Sequence, residues 1–204
     1  MKPPGAALAL CAFAAFAPAR AADPFTTARS APRARVVVVQ NRDAIEAFCP
    51  QPEIVQVMVD RALTSLTRKA TPRDAWLSLV STQDVVGLKV FSAPGQNSGT
   101  RPTVATTIAL GLINAGVPPK HIIIWDKSEH DLREAGFFAL ADQLGVRVAG
   151  SAQAGYDPAI FYDTPLIGSL IWGDLEFGRT GEGIGRKSYV SKLVTREMTK
   201  IINI

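Results

Sequence analysis

The chain has 204 residues, of which 47% are hydrophobic and 20% charged, and its mean hydropathy is +0.13. This composition is that of a globular protein and excludes disorder, collagen and coiled coil. Lys and Arg number 22 against 18 Asp and Glu, so the formal charge of +4 is a mild excess that does not favour nucleic-acid binding.

The first residues have the pattern of a cleaved secretory signal peptide: a positive start, an apolar run over residues 5–17 and a small-x-small site at Ala19-Arg20-Ala21. A membrane helix needs roughly 20 apolar residues, so we expect no transmembrane helix after cleavage. The pattern predicts a signal peptide over residues 1–21, an exposed linker over 22–33, and export to the periplasm or the extracellular space.

Apolar runs and helical spacing alternate along the remaining residues, 34–204. Continuous apolar runs are typical of strands covered on both faces, as in parallel sheets, whereas amphipathic spacing with start and stop signals indicates helices. The predicted strands are 35–40, 84–91, 121–125, 146–149 and 199–204, and the predicted helices are 52–68, 71–79, 102–115, 128–144 with a break near Gly136, and 188–198. This order predicts an α/β fold with a mostly parallel sheet and flanking helices.

The periodicity fails over residues 150–185, which predicts an insertion with short strands such as Ser169–Trp172. The last predicted strand coincides with the end of the chain at Ile204, whereas the residues that shape a site usually follow a buried parallel strand. We therefore expect residues 34–204 to be an incomplete domain, truncated at its carboxyl end.

Two polar residues stand at the predicted carboxyl ends of strands, where open parallel sheets bind their ligands. Lys89 interrupts an apolar strand near its end, and Asp126 directly follows another strand. As catalytic candidates, Lys89 would supply positive charge or a general base, and Asp126 would orient Lys89 or accept a proton. In the alternative interpretations Lys89 extends to solvent from an edge strand or pairs with Asp84 or Asp126 as part of the structure, and Asp126 only caps the next helix.

Further polar residues are predicted to hold an anionic substrate at the same edge. Some follow the first predicted strand or precede a helix whose N-terminus attracts anions, and others lie in a Gly-rich segment that fails the P-loop spacing because Arg186 separates the last glycine from Lys187. The alternatives are a plain helix cap at Thr100 and a flexible glycine turn. The predicted ligand residues are Asn41, Ser98, Gly99, Thr100, Arg101, Arg186 and Lys187.

The residues that commonly hold metals or clusters are scarce. His121 and His130 are the only imidazoles and show no metal-ligand spacing, so no metal site is predicted. Signal cleavage would leave Cys49 alone, which excludes a disulfide or a cysteine-ligated iron–sulfur cluster within these residues. The sequence therefore predicts no particular cofactor.

Four stretches together resemble a bacterial and archaeal family, domain-of-unknown-function family 362: Asp84–Val90, Thr100–Pro102, Ile122–Asp126 and Ser188–Ile204. The resemblance covers roughly residues 34–204, about the N-terminal half of that domain, and the Pro-x-Leu-Lys-Asp-His-like stretch that follows in the family is absent. Some family members carry ferredoxin-like iron–sulfur modules and others resemble exported proteins. The resemblance implies no settled activity.

These observations lead to one leading hypothesis and two alternatives. The leading hypothesis is an exported α/β protein that binds a small anionic metabolite at the carboxyl ends of its strands, with catalysis left open. The alternatives are a non-catalytic envelope interaction protein and an electron-transfer accessory whose cluster ligands lie outside this chain. The oligomeric state is not predicted.

Overall fold

The computed structural model describes residues 34–163, 175–176, 178–179, 181–182 and 184–204. The predicted signal peptide, the predicted linker and the predicted strand Ser169–Trp172 lie outside these residues. The strands are β1 (Ile45–Glu46), β2 (Cys49–Pro50), β3 (Val86–Lys89), β4 (Ile122–Asp126), β5 (Arg147–Gly150), β6 (Tyr156–Asp163), β7 (Lys187–Ser191) and β8 (Lys200–Asn203). The α-helices are α1 (Pro52–Thr67), α2 (Pro72–Leu77), α3 (Pro102–Ala115), α4 (Glu129–Glu134), α5 (Phe137–Leu144) and α6 (Ser151–Ala154), with 3₁₀ turns at Arg42–Ala44 and Pro119–His121 and a π-helical turn at Leu193–Glu197.

A four-stranded parallel sheet with the order β5-β4-β3-β8 forms the centre of the fold, and helices flank it. The predicted α/β class is therefore confirmed. The chain runs from β3 through α3 to β4, and from β4 through α4 and α5 to β5. It then returns to add β8 on the other side of β3. In open parallel sheets with such a strand order, ligands bind at the carboxyl ends of the strands.

The hydrophobic core lies between the sheet and the helices. Val86 and Leu88 of β3 and Ile122 and Ile124 of β4 are buried in it with side chains from α1, α2, α3, α4 and α5. The alternate residues of these strands point to the opposite face, where Gly87 of β3 lies against Met198. The described residues from Val36 onward pack as one compact unit.

Helix boundaries agree closely with the signals in the sequence. α1, α2 and α3 begin at a proline, and Thr71 caps α2 by accepting a hydrogen bond from the Asp74 N–H. Gly116 ends α3 with a positive φ, and Gly136, at φ 86°, separates α4 from α5 as the predicted break requires.

Two predicted elements are wrong. Residues 35–40 form no strand, and Val36 and Val38 are 79% and 73% exposed, because this β-branched run has no sheet partner among the described residues. The predicted helix 188–198 is instead divided between strand β7 and the π-helical turn. Antiparallel pairing of Lys187–Ser191 with β6 outweighs the helical spacing.

Candidate functional site

Lys89 and Asp126 meet at the carboxyl edge of the sheet, as their positions after neighbouring strands predict. Lys89 Nζ donates a hydrogen bond of 2.6 Å to Asp126 Oδ1 and one of 2.5 Å to the carbonyl of Val90. The Lys89 side chain keeps 31% of its surface exposed. An ammonium carries three N–H groups, so one donor remains after these two contacts.

The Asp126 carboxylate is occupied on both oxygens. Its Oδ2 accepts the Ser92 backbone N–H at 2.7 Å and the Ser92 hydroxyl at 2.6 Å. Burial alone would raise the pKa of Asp126, but the hydrogen bonds from Lys89 and Ser92 outweigh burial and hold the pKa below its ordinary value. Because an ionised, fully engaged carboxylate is a poor proton acceptor, this geometry favours an orienting role for Asp126 over an acid–base role.

Both residues line a cavity of about 280 Å³ at this edge of the sheet, close to the lower end of the range for small-molecule sites. Its walls come from β3, β4, α6, the β6–β7 hairpin and the π-helical turn. Asp157 at the start of β6 helps to attach the hairpin to that turn, since its carboxylate accepts hydrogen bonds from the Thr195 hydroxyl and the Arg196 guanidinium.

Hydrogen-bond donors dominate the polar part of this lining. The chain has three tyrosines, and Tyr156, Tyr162 and Tyr189 all line the cavity. Lys127 adds a second ammonium, and Ser151 is a buried hydroxyl that makes no side-chain hydrogen bond to another described residue. Among the described lining residues the one carboxylate is Asp126, so the lining carries two lysines against one acid.

The predicted ligand residues of the loop after β3 serve mainly to hold that loop. Thr100 Oγ1 accepts the Phe91 N–H at 2.9 Å and donates to the Ile204 carbonyl at 3.3 Å. It is not the predicted helix cap, since α3 begins after Arg101 without a side-chain cap. Gly99 packs tightly against the Phe91 carbonyl, and Ser98 is exposed and does not line the cavity with Lys89.

The four other predicted ligand residues are not among those that line the cavity with Lys89. Asn41 caps the 3₁₀ turn Arg42–Ala44, where its side chain accepts a hydrogen bond from the Asp43 N–H. Arg101 lines two other cavities. Arg186 pairs with Asp163 at 3.4 Å, and Lys187 Nζ lies 4.4 Å from the centre of the Phe161 ring.

Sequence reasoning missed the contribution of the inserted segment. The cavity residues Ser151, Tyr156, Tyr162 and Tyr189 lie in or beside the region that was predicted only as an insertion. The signal that could have found them is the confinement of every tyrosine to residues 156–189, directly after a strand of the parallel sheet.

Among the described residues, no group of three His, Cys, Asp or Glu side chains is placed to hold a metal ion, and no helix is long and apolar enough to cross a membrane. Comparison with known proteins gives no match, whether the chain is compared with family models, curated proteins or solved structures. The function must therefore be argued from the cavity itself.

Proposed function

We propose that the protein binds a small anionic metabolite in the cavity at the carboxyl edge of the sheet. The donor-bearing side chains of the lining carry this proposal: two lysines and three tyrosines line the cavity together with one carboxylate, which Lys89 and Ser92 already occupy. A phosphate or carboxylate group entering the cavity would accept a hydrogen bond from the remaining donor of Lys89 and would lie near a second ammonium, that of Lys127.

The position of the cavity supports the same proposal. It lies at the carboxyl ends of β3 and β4, the edge at which parallel α/β sheets bind ligands. The β6–β7 hairpin supplies part of the wall, and it would reduce the access of water to a bound anion, which strengthens charged hydrogen bonds. Within this site Lys89 and Lys127 would contact the ligand, and Asp126 is a positioning residue for Lys89.

Calorimetric titration of the full chain with orthophosphate, a sugar phosphate, succinate and citrate tests the proposal. We expect at least one of these to bind, and we expect Lys127→Met to weaken that binding by about tenfold because a charged hydrogen bond is lost. Lys120→Met is the matched control, since Lys120 is an exposed lysine that precedes β4 at the other end of the sheet. The proposal would be contradicted if none of the four compounds binds, or if the Lys127→Met variant binds as tightly as the unaltered chain.

The alternative, a purely structural charge network, predicts a different outcome. It predicts that Lys89→Met and Asp126→Asn lower the melting temperature while no ligand in the panel shifts it. A bound ligand, by contrast, raises the stability of the native state by mass action, by about 2.7 kcal/mol at 100 times its Kd. A ligand-dependent shift that disappears in Lys127→Met therefore favours the binding site.

We also propose that the protein acts outside the cytoplasm, because residues 1–21 carry the signal-peptide pattern. Fractionation of producing cells, followed by mass spectrometry of the intact chain, tests this. An exported chain that begins at Ala22 is expected, and a chain that keeps Met1 and stays in the cytosol would contradict it.

A further inference from the structure

A second cavity, of about 350 Å³, lies between the antiparallel hairpin of β1 and β2, α1 and the start of α3. Its volume is within the range of small-molecule sites. Its walls are aliphatic and include Ile45 and Pro50 of the hairpin, Met58 and Ala62 of α1 and Val104 of α3. It shares no lining residue with the cavity that contains Lys89.

Arg101 is the one charged residue among the described walls of this aliphatic cavity. Its Nη1 donates to the carbonyl of Gln96 at 3.0 Å and to Asn97 Oδ1 at 3.1 Å, and these contacts hold the guanidinium in place. A guanidinium has five N–H donors spread over three nitrogens. Because both contacts use Nη1, donors on the other two nitrogens remain for a bound group.

The aliphatic cavity adjoins a more polar one of about 360 Å³, and Pro50 and Arg101 line both. The polar cavity also contains Gln96, Asn97 and Thr103. Thr103 lies in the first turn of α3, whose leading N–H groups have no side-chain cap. Arg101 and the start of this helix therefore both favour negative charge where the two cavities meet.

We infer that the two cavities together bind an amphipathic organic anion. Its acyl or aromatic tail lies against the aliphatic walls, and its carboxylate or other acidic head lies at Arg101 and the start of α3. A small polar anion would leave the aliphatic walls in contact with water, and an uncharged apolar molecule would make no charged hydrogen bond with the remaining Arg101 donors. This inference does not depend on the proposed function, because the residues involved are different.

Octanoate and 1-octanol, titrated calorimetrically into the full chain, test both parts of the site. We expect octanoate to bind with one-to-one stoichiometry. Arg101→Met is expected to weaken octanoate binding by about tenfold while changing octanol binding little, since only the charged hydrogen bonds are lost. Ala62→Phe fills the aliphatic cavity and is expected to weaken the binding of both ligands.

Val57→Phe is the matched control, because Val57 is 65% exposed on the same helix and does not line the cavity; it should leave both affinities unchanged. Should Ala62→Phe fail to fold, Ile45→Glu takes its place, since Ile45 is 54% exposed and a carboxylate there repels octanoate. Failure of hexanoate, octanoate and dodecanoate to bind the unaltered chain would overturn the inference. So would sedimentation showing a dimer that Ile45→Glu dissociates and octanoate does not, because the cavity would then join two copies of the chain.

Discussion

At the scale of single residues, Asp126 connects three parts of the chain. Its carboxylate accepts hydrogen bonds from Lys89 at the end of β3 and from Ser92 in the loop that leads to α3, and it stands itself at the end of β4. Replacing this carboxylate by an amide leaves the half-buried Lys89 ammonium without its counter-charge. The carboxylate of Asp126 therefore positions Lys89 for any ligand that Lys89 contacts.

Asp126→Asn should lower the free energy of unfolding by about 2 kcal/mol near neutral pH, because a buried charged hydrogen bond is lost. The folded pKa of Asp126 is lowered, so its stabilising contribution is complete above the ordinary value of about 3.9 and disappears as the pH falls through the folded value. The stability gap between the unaltered protein and Asp126→Asn should therefore be constant from about pH 5 to 8 and narrow below about pH 4.

Urea unfolding across this pH range measures the gap. The double variant Lys89→Met/Asp126→Asn is the control, and we expect it to be more stable than Asp126→Asn alone, because no unpaired ammonium is then left in the site. An Asp126→Asn gap that is as wide at pH 3 as at pH 7 would contradict the ionised state assigned to Asp126.

The catalytic candidates were predictable one by one, whereas most of the cavity was not. Lys89 and Asp126 each follow an apolar strand, and strand ends in a parallel sheet meet at one edge, so short-range patterns suffice to place them. Tyr156 and Tyr189 reach the same cavity through the antiparallel pairing of β6 and β7. No local pattern specifies that pairing, because it depends on segments that are far apart in the chain.

At the scale of elements, the contact between α2 and α3 depends on a missing side chain. Gly111 lies in the interior of α3, and a Cβ at this position would overlap Nε1 of the buried Trp76 indole in α2. Glycine is unfavourable inside a helix, so local propensity alone would favour alanine here. Close packing of the two helices is the reason for the glycine.

Gly111→Ala tests which effect is larger. The gain in helix propensity is about 1 kcal/mol, and forcing extra volume into a packed contact costs about 1–3 kcal/mol. We therefore expect Gly111→Ala to destabilise the protein by about 1 kcal/mol in urea unfolding, with both terms taken together. In a Trp76→Phe background the same change should be neutral or stabilising, and destabilisation of equal size in both backgrounds would contradict the proposed overlap.

The two wrong elements have a common physical cause. Residues 35–40 and 188–198 have the local patterns of a strand and a helix, but strand formation depends on a partner and is decided by tertiary contacts. The first segment finds no partner among the described residues, whereas the beginning of the second pairs with β6. Helices with clear start and stop signals, such as α3, depend much less on a distant partner.

At the scale of the whole molecule, the order β5-β4-β3-β8 places β3 and β4 inside the sheet, with neighbours on both sides. Their apolar side chains are also among the most deeply buried in the described part of the chain. By contrast, residues 36–39 form neither helix nor strand, and Val36 and Val38 are exposed. Stability should therefore be distributed very unevenly along the chain.

Amide hydrogen exchange measures this distribution directly. We expect the amides of Val86–Leu88 and Ile122–Ile124 to exchange most slowly, because they open only in global unfolding, and the amides of residues 36–39 to exchange among the fastest. Strong protection at residues 36–39 would contradict this description and would mean that the run pairs with another segment.

The sequence by itself determined the α/β class, the boundaries of the capped helices and the two polar residues at the strand ends, because these depend on hydrophobic period, capping and glycine breaks within short windows. Only the tertiary structure decided that Arg101 belongs to a different cavity from Lys89, that residues 35–40 stay out of the sheet, and that three tyrosines line the same cavity as Asp126. These features depend on which distant segments pair, and pairing is set by the packing of the whole chain rather than by local pattern.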